Sequence, residues 1–276
     1  MAIELLSPLT FEGVVITSIN QINDLPPEVR ASLYKELIPP EIFSQFQIDP
    51  ISGTNADGEE VVNLSCPSNS SGFRIEVYNR PGAEDAIFLL EMAEPSVNNM
   101  ELTFIQINDP TAPRYNTDRD EEGRPTLFGT ARHNFPEEER AFRSGLFPGQ
   151  VRRGLGLFGR FMPRAERFFA AMGKRFITLR AFFYYNAILY ERHGFSYIMG
   201  KKLMKEINEG FQPGGSLDAH VDGSSVFRQK GNQLTVFGRS WAIHDGILGD
   251  GWVSPKMVKW FGLDASECTF PDYRWI

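Results

Sequence analysis

The sequence predicts an α/β fold, and three observations predict it. Runs of strand character follow one another from residue 61 to 107, an amphipathic helical pattern occupies 157–172, and a strand, a short helix and a further strand alternate from there to 205. In chain order, an extended stretch at 13–19 comes first. Asp24 then predicts a helix start with Pro26 and Pro27 in the first turn, and Val29, Leu33 and Leu37 recur at near-helical spacing. Pro39 and Pro40 interrupt that helix, and a short second one is predicted at 41–46. Between and after loops at 52–58 and 65–72, strands are predicted at 61–64, 73–78, 86–92 and 101–107, the last two joined by a hairpin connection at 96–99.

Residues 109–150 are rich in charge, Pro and Gly, with one helical candidate at 136–143. At about 40 residues this segment is longer than a connector requires. Beyond it, Leu157, Phe158, Phe161, Met162, Ala165, Phe168, Phe169 and Met172 recur every three or four residues. A buried strand is predicted at 176–182, a short helix at 186–193 closed by Gly194, and a strand at 195–205. The C-terminal part reads as a strand at 233–243, a Gly-rich loop at 244–251 and a helix at 255–261.

A chain of 276 residues has room for one large domain or two small ones, and its 42% hydrophobic and 23% charged content excludes disordered, collagenous and disulfide-stapled classes. Cys66 and Cys268 are too few for a disulfide framework or a four-thiolate zinc site, so free thiols in a reducing compartment are expected, with a single bridge as the alternative. The first residues lack a basic stretch followed by a long apolar one, and no apolar run approaches the roughly 18 residues of a membrane span. A soluble, cytoplasmic protein is expected.

The net charge of −7 conceals an asymmetry: from Ala141 to Lys205 there are 13 Lys and Arg against two acids, Glu166 and Glu191, a net of +11 inside a remainder of −18. Such an island suits a compact anionic ligand better than nucleic acid or a membrane surface, since the acidic remainder repels a long polyanion. A solvated face paired with acids from elsewhere in the chain is the alternative.

At the start of the island, Gln150-Val-Arg-Arg-Gly154-Leu-Gly156-Leu-Phe-Gly159 sets glycines and two arginines immediately before the amphipathic helix. Glycines let the backbone approach a phosphate and present successive N–H groups, and the helix dipole adds about half a positive charge. The pattern lacks the Lys-Ser or Lys-Thr of a Walker motif and follows no clear strand, so neither nucleotide fold is predicted.

Downstream stands Phe182-Phe-Tyr-Tyr-Asn186-Ala-Ile-Leu-Tyr190-Glu-Arg-His-Gly194-Phe195. With the Gly154 turn, this segment resembles the GCN5-related N-acetyltransferase (GNAT) superfamily, well over 150–205 and loosely over the strands before it. The resemblance implies a mixed, mostly antiparallel central sheet flanked by helices in a single domain. Its core would be about 55–206, with an insertion at about 110–149 and a C-terminal extension at about 207–276. It also implies acetyl-CoA or another acyl-CoA as co-substrate, held by Arg152, Arg153, Gly154, Leu155 and Gly156. Asn186 would meet the pantetheine arm, and Tyr190 would protonate the departing thiolate. The implied reaction is direct transfer of an acyl group to a small-molecule or peptide amine. Two departures stand out: Val151 occupies a position the family usually gives to Gln or Arg, and the insertion separates the turn from the strand that normally leads into it. Pro163, inside the predicted helix, adds an expected kink or a later helix start.

No unique general base is evident; Glu91 and Glu101 on the hairpin strands and His193 are the candidates, each also readable as a structural or surface residue. No metal is expected, because His220–Asp222 and His244–Asp245 offer two ligands each without a third at metal spacing. A non-catalytic coenzyme A or anion-binding module and an interaction protein with a basic face are the alternatives to the enzyme.

Overall fold

The computed structural model describes residues 7–127, 129, 131–263, 265, 267–271 and 274–276. Two compact units emerge, each assembled from separate stretches of chain: one from 1–111, 154–179 and 258–264, the other from 112–153, 180–257 and 265–276.

The first unit opens with a minute antiparallel hairpin, β1 (Thr10–Phe11) and β2 (Val14–Val15), turned by Glu12 and Gly13 at φ of +49° and +79°. Helix α1 (Ile19–Asn23) follows, where Ser18 accepts from the Gln21 N–H and the Gln21 side chain accepts from the Ser18 N–H. Asp24 closes this helix, and α2 (Pro27–Lys35) begins three residues later with proline in its first turn. A short α3 (Pro40–Gln45) leads to β3 (Val62–Ser65), β4 (Gly72–Val77), β5 (Phe88–Ser96) and β6 (Asn99–Ile107), each antiparallel to the one before. Along β4, Phe73, Ile75 and Val77 are buried in strict alternation, the period-two signal visible in the sequence.

After β6 the chain passes through the second unit, where it forms α4 (Phe135–Arg143), and returns as α5 (Phe158–Ala171) and β7 (Phe176–Arg180). Helix α5 runs unbroken through Pro163 and buries Phe161, Met162, Ala165, Phe168 and Phe169. Each of the Phe and Met side chains removed from water stabilises the fold by about 1.5–3 kcal/mol, and together these outweigh the one hydrogen bond Pro163 forgoes.

The second unit resumes with α6 (Tyr184–Arg192), β8 (Ser196–Met199), α7 (Lys201–Gly210) and α8 (Val236–His244); β9 (Lys256–Trp260) begins in the second unit and ends in the first. The strand order is β3-β4-β5-β6-β7-β9-β8, with β6 and β7 parallel. The protein is therefore α/β, with a seven-stranded, mostly antiparallel central sheet flanked by helices.

Three expectations are corrected. The stretch 233–243 is helical: after a single helical turn at Asn232–Leu234, Thr235 caps α8 by accepting from the Gly238 N–H at 2.9 Å. Residues 255–261 are a strand, β9, and 195–205 divides at Gly200, whose φ of +96° ends β8 and opens α7. The segments 110–149 and 207–276 also share a core, in which Tyr115, Ala141 and Leu146 meet Phe227 and Trp241. Trp241 stacks on Phe227 at 4.8 Å and donates its indole N–H to the Leu146 carbonyl at 2.9 Å.

Within the first unit, the fully buried Lys174 ammonium donates to the Glu94 carboxylate and, at 2.9 Å, to the Val97 carbonyl. Glu94 also accepts from the Ile19 N–H at 2.6 Å, tying α1 to the β5 end. Truncating one member strands the other in a low-dielectric interior. Lys174→Ala is therefore expected to destabilise the protein by about 3–5 kcal/mol in urea unfolding.

Candidate functional site

In the first unit the parallel pair β6–β7 is short. Asn99–Leu102 stand opposite Phe176–Leu179, and β6 then continues to Ile107 beyond its paired stretch. The separation coincides with a bulge. Glu91 of β5 faces Phe104 while Met92 faces Leu102, which leaves Thr103 as the extra residue. A bulge bends its strand and increases its twist, so β6 veers where its parallel neighbour ends.

The far end of β6 meets the glycine turn. Asn108 bridges Gly154, and the Leu155 N–H points to the Ile107 carbonyl at 3.4 Å. Asn108 is itself fixed by its N–H to the Ile87 carbonyl at 2.8 Å and its side-chain amide to the Ala86 carbonyl at 3.0 Å. The long insertion thus leaves and rejoins the strand at one place, and the turn follows β6 in space although not in sequence. Gly156 has φ of +70° and open space where a Cβ would lie, and no side chain caps α5 at Leu157. A 14-residue helix thus starts without a side-chain cap, and the positive end of its dipole lies beside the turn.

The other candidate residues belong to the second unit. Arg152 donates to the Ala112 carbonyl at 2.5 Å, the Tyr115 N–H to the Val151 carbonyl at 2.8 Å and the Thr117 hydroxyl to the Gln150 carbonyl at 3.0 Å. These bonds zip the two arms of the insertion together. Arg153 is exposed. Asn186 accepts from the Phe183 N–H at 3.2 Å, capping α6, and also bonds Tyr185, whose phenol burial nevertheless pushes up to about 12. Tyr190 is buried against Phe195 at 5.5 Å, and burial, then the neighbouring Tyr185, hold its phenol far above the ordinary range.

Among the candidate bases, Glu91 pairs with Arg74 at 2.8 Å, Glu101 lies in the β6–β7 ladder opposite Thr178, and His193 caps the end of α6. Parts of the basic island are spent locally: Arg160 lies 3.3 Å from Glu41, and Arg164 donates to the Glu36 carbonyl at 2.8 Å. Both cysteines are free thiols.

One constellation was missed from the sequence. In the second unit His133 Nδ1 lies 3.1 Å from both carboxylate oxygens of Glu138, and His244 Nε2 lies 3.2 Å from Oε1 of the same group. Among the described residues this is the one group of three or more His, Cys, Asp and Glu side chains arranged to hold a metal ion. The third partner that His244 lacked at local spacing comes from 106 residues away, on α4. Asn134 fixes that helix start by donating to the Asn116 and Arg119 carbonyls at 3.2 and 2.8 Å.

Burial drives the Glu138 carboxyl up, but hydrogen bonds from His133 and His244 and their charges reverse this and hold it at about 2. His133 is raised above its ordinary value by its bond to Glu138, against an opposing burial effect. The depressed carboxylate contributes stability that is complete above its unfolded value of 4.5 and is lost as pH falls through about 2. The raised imidazole contributes below its unfolded 6.5 and loses that contribution as pH rises through the higher folded value. With metal ions removed, the cluster is expected to stabilise most between 4.5 and 6.5, and Glu138→Gln to cost roughly 3 kcal/mol there, measured by urea unfolding across pH.

No helix among the described residues is long and apolar enough to cross a membrane. Compared with protein-family models, curated proteins and solved structures, the chain matches none.

Proposed function

We propose that the protein is an acyl-coenzyme A-dependent N-acyltransferase. The observation that carries the reading is that the β6–β7 ladder ends at Leu102 and Leu179 while β6 runs on to Ile107, with the Gly154 turn bridged to Asn108 just beyond and α5 following it. A strand edge released from its ladder presents backbone N–H and C=O groups to any extended chain that carries amides of its own. The pantetheine arm is such a chain. It ends in a pyrophosphate, which suits a glycine turn at an uncapped helix start.

The proposed chemistry is direct transfer without a covalent enzyme intermediate. An amine nitrogen attacks the thioester carbonyl, the carbon–sulfur bond breaks as the amide forms, the amine gives up a proton and the coenzyme thiolate receives one. Backbone N–H groups at the bulge would stabilise the developing oxyanion. Gly154, Leu155 and Gly156 would cradle the pyrophosphate, with Arg152 and Arg153 adding charge and Asn186 meeting the arm. Tyr190 would give the proton to the thiolate. Burial holds that phenol far above its ordinary range.

A coenzyme-binding module without catalysis is the second reading, favoured by the engagement of Asn186 in capping α6 and the burial of Tyr190. Product formation from acetyl-CoA and a panel of amines separates the two.

Acetyl-CoA at about 100 times its dissociation constant should stabilise the fold by about 2.7 kcal/mol, read as a rise in Tm that sulfate does not reproduce. Gly156→Asp places a carboxylate in open space within the turn and should weaken coenzyme binding at least about tenfold, beside a loss of about 1–2 kcal/mol of stability from the φ of +70°. For catalysis, Tyr190→Phe should lower turnover by about 10²-fold or more at unchanged coenzyme affinity. Equal thermal shifts with acetyl-CoA and sulfate would reduce the site to a generic anion cradle.

A further inference from the structure

We propose that His133, Glu138 and His244 form a divalent metal site of the zinc type in the second unit, with a water molecule as fourth ligand. The donor set is two imidazoles and one carboxylate, a combination borderline-soft Zn²⁺ accepts readily. Its shape fits as well. Bonds of about 2.0–2.1 Å in a tetrahedron place neighbouring ligand atoms about 3.3 Å apart. The His133 and His244 nitrogens stand 3.1 and 3.2 Å from Glu138 oxygens, and all three donor atoms fall within 4.8 Å of one another. An ion at their centre needs only small side-chain movements.

The surroundings hold the donors in that pose. His133 stacks on Phe135 with ring centres 5.0 Å apart, and His244 meets Trp241 edge to face at 5.5 Å. The backbone closes over the rings at Gly129, where an added Cβ would fall 2.3 Å from His244 Cε1 and 3.0 Å from its Nε2. Glu138 is almost wholly buried, whereas the His133 side chain retains 28% exposure, which leaves an approach for water and the ion from that side. With both imidazoles neutral, the cluster carries one buried negative charge and calls for a cation. Coordination through His133 Nδ1 and His244 Nε2 sets their tautomers, with the proton on Nε2 of the first and Nδ1 of the second.

The test titrates the full chain, dialysed against a chelator, with Zn²⁺ by calorimetry and with Co²⁺ by visible absorption. One Zn²⁺ per chain, a higher Tm and the intense d–d bands of four-coordinate Co²⁺ are expected. Since loss of an outer partner alone weakens metal sites about 10- to 100-fold, Glu138→Gln and His244→Gln should each weaken binding by more than about 100-fold. If either variant fails to fold, the wild-type protein decides through the imidazole NMR signals of His133 and His244. Both must shift on addition of one equivalent of Zn²⁺. A folded wild-type chain that takes up no stoichiometric Zn²⁺, or takes it up without perturbing these two rings, overturns the proposal and leaves a hydrogen-bonded strut. Undiminished binding by a folded Glu138→Gln protein overturns it equally.

Discussion

The first unit depends on what happens to β6 at Thr103. Up to Leu102 the strand is held on both sides, by β5 and by β7; beyond it, one extra residue shifts the register to β5, and the pairing to β7 has already ended. A single inserted residue in a ladder thus does two things at once. It bends the strand, and it leaves an edge within a sheet whose strands otherwise stand in continuous order. The bonds of Asn108 to Ala86 and Ile87 then keep the bent end from wandering, so that the returning chain meets it at a fixed point. The glycine turn and the helix dipole take their direction from this arrangement, as does the proposed binding of an extended thioester.

How much of this was legible in the sequence follows from the range of the forces involved. Strands β4, β5 and β6 were readable because half-buried strands alternate, and α5 because a helix with one wet face repeats every three to four residues. Helix α8 has almost no wet face: Val236, Gly238, Arg239, Ser240, Trp241, Ala242 and Ile243 are all buried, so its pattern carries no helical period and its bulky residues imitate a strand. Even Arg239 lies inside, with its guanidinium 3.5 Å from the centre of the Phe270 ring and bonded to Asn208 at 2.8 Å. Strand β9 fails in the opposite sense, since its five residues are too few to establish either period. At Gly200 the signal was present as a glycine between a β-rich and a lysine-rich stretch, and the backbone there explains it.

The functional residues divide along the same line. The Gly154 turn is a local motif and can be found by reading along the chain. That it abuts β6 despite the insertion is a fact of tertiary structure, as are the two ends of that insertion zipped by Tyr115, Thr117 and Arg152. The His133–Glu138–His244 cluster joins a loop, the first turn of one helix and the last residue of another. No spacing rule reaches that far. The cluster's local half, His133 five residues before Glu138, stands in the sequence with no motif to mark it.

The interleaving of the two units has a consequence for how the molecule is made. Each is built from three stretches of chain, and the last stretch of each, 258–264 for one and 265–276 for the other, is synthesised near the end of the sequence described here. Domains composed of one continuous stretch can fold in turn as they leave the ribosome, whereas here each unit receives its last stretch only after much of the other has been made. The core of Tyr115, Ala141, Leu146, Phe227 and Trp241 can gather before β9 is made, but the strand order β7-β9-β8 cannot be completed until it is.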